Sequence, residues 1–216
     1  MRYKLVIFDM DGTILNTLDD LADSLNAVLE KHGYPMHSLG NVRDFVGNGI
    51  RKLIERAVPD GLSETEINKV HEDFLAYYQL HCAHKTKPYD GILELIRTLR
   101  SKGVRTAVVS NKADSAVQEL CRQYFDGLFD IAIGEREGMK RKPAPDSVKY
   151  VLKEMQIAGE DAVYIGDSEV DVQTAKNAGL DSIIVLWGFR DKELLERHGA
   201  DVFVNTPSDI KSHIYG

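Results

Sequence analysis

The sequence predicts an α/β protein: a parallel sheet covered on both faces, with a helical segment inserted after the first strand. Three observations carry this reading. Short apolar runs recur at 3–8, 104–110, 129–133, 162–165, 182–186 and 202–204. Helix-like stretches separate the later runs: Ile92, Leu95, Ile96 and Leu99 share one helical face, as do Val148, Val151, Leu152 and Met155. Strands alternating with helices imply parallel βαβ units. The third observation is a break in that rhythm between residues 16 and 87, which read as helices only.

Each element follows from its own pattern. The strand runs are continuously apolar rather than alternating, as expected where helices cover both faces of a sheet. In the inserted segment Leu18, Leu21, Leu25, Val28 and Leu29 form one stripe. Leu53, Ile54 and Ala57 belong to a second helix, and Ile67, Val70, Phe74, Leu75 and Tyr78 to a third. A strand precedes the insert, so it reads as a cap at 16–87 on a core made of 1–15 and 88–216.

Composition narrows the function classes. The chain has 216 residues, 43% hydrophobic and 28% charged, which excludes disordered and fibrous architectures. A chain of this length buries roughly 70% of its unfolded surface and needs no disulfide or metal to fold. The net charge of −7 argues against non-specific binding to nucleic acid or anionic membranes. It does not exclude phosphate substrates, because one divalent cation reverses the sign of a local site. Cys82 and Cys121 lack metal or redox spacing and suit a reducing interior. The apolar run 5–8 is too short for a signal-peptide core, and no stretch has 18 consecutive apolar residues. A soluble, cytoplasmic protein is expected.

In doubly wound sheets ligands bind beyond the carboxyl ends of the strands, so the polar residues after each run are the candidates. After the first comes Asp9-Met10-Asp11-Gly12-Thr13. Two carboxylates two residues apart on an extended segment point the same way and repel, unless a cation or a shared proton intervenes. Hard oxygen donors suggest Mg²⁺. After the 104–110 run comes Ser110-Asn111-Lys112, a hydroxyl and backbone N–H groups suited to an oxyanion, or equally to a helix N-cap. Lys142, beside Pro143, follows two basic residues, Lys140 and Arg141, that read as solvated. After the 162–165 run come Asp167 and, four residues on, Asp171, which also suits helix capping. Each signal is weak alone. Together they fill the inventory of phosphoryl transfer: a carboxylate nucleophile, an acid/base, a cation site and phosphate donors.

These residues, in this order, resemble the four motifs of the haloacid dehalogenase superfamily of phosphohydrolases, over essentially the whole chain. The resemblance implies a three-layer, Rossmann-like core with an inserted helical cap that closes over substrate. It implies Asp9 as nucleophile, Asp11 as general acid/base, and Ser110, Asn111 and Lys142 on the phosphoryl group. It implies Mg²⁺ held by Asp9, the backbone carbonyl of Asp11 and Asp167, with Asp171 supporting. Dehalogenating members lack the second aspartate, so Asp11 points to phosphatase chemistry. Within the superfamily the chain is most similar to phosphoglycolate phosphatases. Phe45-Val46-Gly47-Asn48-Gly49 resembles their substrate-facing cap loop, and Trp187-Gly188-Phe189 a run common among them. A Gly-x-Gly at a helix start also offers bare N–H groups to a small carboxylate, with Arg51 or Lys52 adding charge. The expected partner is a small phosphorylated metabolite, best 2-phosphoglycolate, acted on by a monomer or homodimer.

Rival readings share parts of this pattern. A β-phosphoglucomutase-like mutase, a pyrophosphatase, a nucleotidase or a sugar phosphatase would use the same core. A phosphoacceptor signalling domain would also combine acids, a hydroxyl, a lysine and Mg²⁺, but such domains are shorter and lack the insert.

Overall fold

The computed structural model describes residues 2–216. In chain order the elements are β1 (Leu5–Phe8), β2 (Leu15–Asn16), α1 (Leu18–Lys31), α2 (Leu39–Phe45), α3 (Ile50–Ala57), α4 (Glu64–His81), β3 (Lys87–Pro88) and α5 (Ile92–Ser101). There follow β4 (Arg105–Ala113), α6 (Asp114–Phe125), β5 (Ile131–Glu135), α7 (Asp146–Met155), β6 (Ala162–Gly166) and α8 (Glu169–Ala178). The chain ends with β7 (Asp181–Val185), α9 (Lys192–Arg197), β8 (Phe203–Val204) and α10 (Pro207–Tyr215).

The chain divides into two compact units. One runs up to Leu15 and resumes from Pro88 to Gly216; the other is Asn16–Lys87. The larger unit holds a six-stranded sheet in the order β5-β4-β1-β6-β7-β8, with all five neighbouring pairs parallel. The strand order reverses at β1: β4 and β5 build outward on one side, and β6, β7 and β8 on the other. That reversal is where doubly wound sheets open a crevice at their carboxyl edge. Every one of the six apolar runs is a strand of this sheet.

Helices cover both sheet faces because both are apolar. Leu5 and Ile7 pack with Val148, Val151 and Met155 of α7 and Ala175 of α8. Val6 and Phe8 point to the opposite face by the strand period, and neither is exposed to water. The helical stripe Ile92, Leu95, Ile96 and Leu99 is buried in full. Leu152 of the other stripe is only partly buried. Burying one such side chain contributes about 1.5–3 kcal/mol, so these strands and helices are held mainly by packing.

The smaller unit packs Leu21, Leu25, Val28 and Leu29 of α1 and Val70, Phe74 and Tyr78 of α4 into its interior. Leu75, expected on that stripe, is exposed, because it falls one position round the helix from Phe74. The α4 start is a capping box: Glu66 N–H donates to Ser63 Oγ (3.3 Å), and Ser63 N–H donates to Glu66 Oε2 (2.8 Å). Buried Asp20 of α1 accepts the backbone N–H groups of Lys85 (2.9 Å) and Thr86 (2.7 Å), fixing the exit of this segment. Helix α2 is not legible in the sequence, since Val42 is its only buried side chain. Among the described residues no helix is long and apolar enough to cross a membrane.

The packing of α5 on the sheet makes one prediction. Leu95 is 1% exposed. Leu95→Ala should lower the stability of the sheet unit by about 2–5 kcal/mol, read as a shifted urea midpoint. A shift corresponding to under about 0.5 kcal/mol would contradict the packing described, since that is the scale of surface changes.

Candidate active site

The polar residues that follow the strand runs converge at the carboxyl edge of β1, β4 and β6. Asp9 extends β1 by one more ladder bond, its N–H donating to Ile165 O at 2.8 Å. The chain then folds back tightly, with Thr13, Ile14 and Leu15 N–H all directed at Met10 O (3.3, 3.1 and 3.0 Å). Gly12 makes this turn with φ +85°, and a Cβ there would lie 2.3 Å from Asp167 Oδ2. Both constraints demand glycine.

Lys142 sits at the centre, with 5% of its surface exposed. Its ammonium donates to Asp9 Oδ1 (2.7 Å), Asp171 Oδ1 (2.8 Å) and Tyr164 Oη (3.0 Å), which accounts for all three protons. Burial acts against its charge, but Asp171 and Asp9 outweigh that and hold its pKa well above the ordinary lysine value. The loop carrying Lys142 is fixed by Asn111. The Asn111 amide donates to Lys142 O (3.0 Å) and accepts from Lys142 N–H (2.8 Å). The Asn111 side chain thus holds Lys142 in place.

Three acidic side chains cluster here, two of them on the ammonium. Asp9, Asp167 and Asp171 are buried, with one oxygen of each lying within 4.8 Å of the others. Asp167 Oδ1 accepts from Thr13 Oγ1 (3.1 Å) and Oδ2 from Phe189 N–H (2.7 Å). Asp171 supports the motif rather than offering free oxygens. Its Oδ2 accepts from Ser168 Oγ (2.6 Å) and from the N–H groups of Ser168 (3.1 Å) and Asp167 (3.2 Å). Burial, then the charge of Asp171, pushes Asp9 well above the usual carboxylate range, against the pull of Lys142. Burial and Asp171 push Asp167 up to about 7.

The remaining expected residues fall into two groups. Asp11 faces Lys112, whose Nζ lies 3.0 and 3.2 Å from the two carboxylate oxygens. Ser110 is buried on β4, and its Oγ accepts from Lys112 N–H (3.2 Å). Lys140 and Arg141 are exposed, as a solvated basic run should be. Gly47, Asn48 and Gly49 lie in the smaller unit, between α2 and α3. Gly47 and Gly49 have positive φ, and Asn48 Oδ1 accepts from Arg56 (2.7 Å). Arg51 pairs with Glu55 and Glu64, and Lys52 with Glu55, so both charges are already matched inside that unit.

Sequence reasoning missed four contributors. Tyr164 is the third residue of an apolar strand and reads as core; only its hydroxyl distinguishes it. Thr13 and Lys112 stand inside motifs in which their neighbours carry the expected chemistry, so nothing in the sequence sets them apart. Gly188 permits a very close approach: a Cβ there would lie 2.2 Å from Asp167 Cβ. Beside it Trp187 Nε1 donates to Thr13 O (3.0 Å), so the segment after β7 clamps Asp167 and the first motif together.

A parallel sheet with buried carboxylates and lysines at its switch point supplies the groups that a hydrolase of the α/β class needs. The chain belongs to the haloacid dehalogenase-like hydrolase family, whose model matches residues 6–185. It is 32% identical over 215 residues to a phosphoglycolate phosphatase of Aquifex aeolicus, covering 96% of this chain and 94% of that protein. It is 31% identical over 212 residues to an N-acetylmuramic acid 6-phosphate phosphatase of Pseudomonas aeruginosa, covering 97% and 94%. A solved structure from Lactobacillus delbrueckii subsp. bulgaricus superposes with a TM-score of 0.95 at 42% identity over 99% of each chain.

The packing around Asp167 can be tested in two ways. Gly188→Ala forces a methyl group onto that carboxylate, so it should lower stability by about 1–3 kcal/mol in a urea titration. An unchanged midpoint would contradict the clamp. The second test concerns pH. Between its ordinary value of 3.8 and about 7, Asp167 keeps a proton in the folded state that the unfolded chain has released. Stability rises with pH only where the unfolded state holds more protons, so this group makes the metal-free fold less stable as the pH climbs from about 4 to 7. With EDTA present, Asp167→Asn should gain on the parent across that window, and a pH-independent difference would contradict the assignment.

Proposed function

We propose that this hydrolase is a Mg²⁺-dependent phosphatase that cleaves a small phosphomonoester through an aspartyl-phosphate on Asp9, with 2-phosphoglycolate the best candidate. The observation that carries the reading is the enclosure of Lys142 by Asp9, Asp171 and Tyr164 at the sheet's switch point. It fixes a carboxylate nucleophile beside a cation, where a phosphoryl group would be received.

The donor set fits a divalent cation. Asp9, Asp167 and Asp171 cluster with one ammonium on two of them, leaving a formal excess of two negative charges among hard oxygen donors. Asp9, the backbone carbonyl of Asp11 and Asp167 would hold the ion, with Asp171 orienting its neighbours. When bound, Mg²⁺ supplies charge neutralisation for the phosphate oxygens.

The chain's own residues then do the rest. Ser110 and Lys142 orient the phosphoryl oxygens. Asp9 forms a bond to phosphorus as the bond to the leaving oxygen breaks in line, and Asp11 gives that oxygen its proton. Asp11 next takes a proton from water as the water oxygen bonds to phosphorus and the phosphorus–Asp9 bond breaks, which releases phosphate and restores the Asp9 carboxylate. The helical unit would act as the cap that selects substrate through Gly47, Asn48 and Gly49. Similarity alone does not choose the substrate, since relatives named for phosphoglycolate and for N-acetylmuramic acid 6-phosphate match almost equally well. Both names describe phosphate esters that carry a carboxylic acid, which favours an acidic leaving group.

The test is a Mg²⁺-supplemented screen over 2-phosphoglycolate, pyrophosphate, nucleotides and hexose phosphates. Phosphoglycolate should lead, and a strong preference for pyrophosphate or hexose phosphates would overturn the substrate. Asp9→Asn should lower turnover by on the order of 10⁴-fold or more while the circular dichroism spectrum is kept. EDTA should abolish activity and added Mg²⁺ restore it. Retained turnover in either experiment would refute the corresponding role.

A further inference from the structure

The site contains two buried lysines, and only Lys142 has a part in the chemistry set out above. Lys112 is 4% exposed. Its ammonium lies 3.0 and 3.2 Å from the two oxygens of Asp11, while its own N–H is tied to Ser110 Oγ at 3.2 Å. A buried ammonium is costly unless an anion faces it, so the cation is built in at a specific place. That place is defined by the reaction direction. In-line displacement puts the leaving oxygen opposite Asp9, and Asp11 must reach that oxygen to protonate it. Whatever is attached to the leaving oxygen therefore comes to rest beside Asp11 and Lys112. Lys142 is held on the nucleophile's side by Asp9, Asp171 and Tyr164, where the phosphoryl group itself is received.

We propose that Lys112 determines specificity by pairing with an anionic group on the leaving alcohol, so that the preferred substrates are phosphate esters of hydroxy acids. The inference rests on the phosphatase reading and assigns it a residue. The substrate anion exchanges for the Asp11 carboxylate as a partner of Lys112, so the buried ammonium stays paired. Asp11 is thereby released from its ammonium contact when an acidic substrate is seated. A neutral leaving group offers no such exchange and leaves the Lys112–Asp11 pair intact.

Two non-hydrolysable probes separate the anion from the rest of the molecule. In 3-phosphonopropionate a methylene replaces the ester oxygen of phosphoglycolate; propylphosphonate carries a methyl group where that probe has its carboxylate. Calorimetry with Mg²⁺ should show the wild type favouring the carboxylate probe. Lys112→Met should weaken that probe by about 30-fold or more, the scale of truncating one member of a buried charge pair. Its affinity for propylphosphonate should change less than about threefold, because that probe carries no anion for Lys112 to discriminate. Lys112→Arg, which keeps the charge, should retain the preference and separates charge from packing. A wild type that binds both probes alike, or Lys112→Met weakening both equally, would overturn the proposal. If the probes behave as stated but no phosphomonoester is turned over, the phosphatase reading fails and the anion site stands.

Discussion

The structure depends on one electrostatic constraint: three carboxylates and an ammonium are buried together at the end of β1. Asp9, Asp167 and Asp171 are taken out of water, where like charges repel strongly. Lys142 offsets part of that cost by touching two of them at 2.7 and 2.8 Å. The remainder shows in the raised pKa values of Asp9 and Asp167. A fold that served stability alone would replace such a cluster by apolar side chains, often at no loss. The cluster makes physical sense as a place prepared for charge that arrives from outside.

The surrounding polypeptide is shaped to hold that cluster. Asn111 reads the backbone of the Lys142 loop with both ends of its amide. Gly12 and Gly188 let backbone approach Asp167 from two sides, at distances that any side chain would obstruct. Each oxygen of Asp167 and Asp171 has a donor, so their rotamers are fixed before any ligand arrives. Such preorganisation lets a site stabilise developing charge without reorganising at the moment of reaction.

The strands are legible because a sheet buried on both faces writes a continuous apolar run for each of them. Much of the candidate site is legible for the same reason, since Asp9, Ser110 and Asp167 stand at the ends of such runs. Other features leave weaker marks. Tyr164 is indistinguishable from core until its hydroxyl is seen to meet Lys142, and Gly188 reads as one more turn glycine. The hold of Asn111 on the Lys142 loop leaves no mark, because sequence shows the amide but not the backbone it reaches. Helix α2 buries a single side chain and so has no period to detect. Leu75 lies next to a true core position, where membership of a stripe turns on one residue.

That Asp9 carries the phosphoryl group is tested most directly by acid-quenching the enzyme during turnover and locating phosphate by peptide mass spectrometry. A hydroxylamine-labile phosphate is expected on the peptide containing Asp9, more abundant when Asp11→Asn slows its hydrolysis. Phosphate found on another residue, or a quenched enzyme in full turnover with none on Asp9, would contradict this assignment.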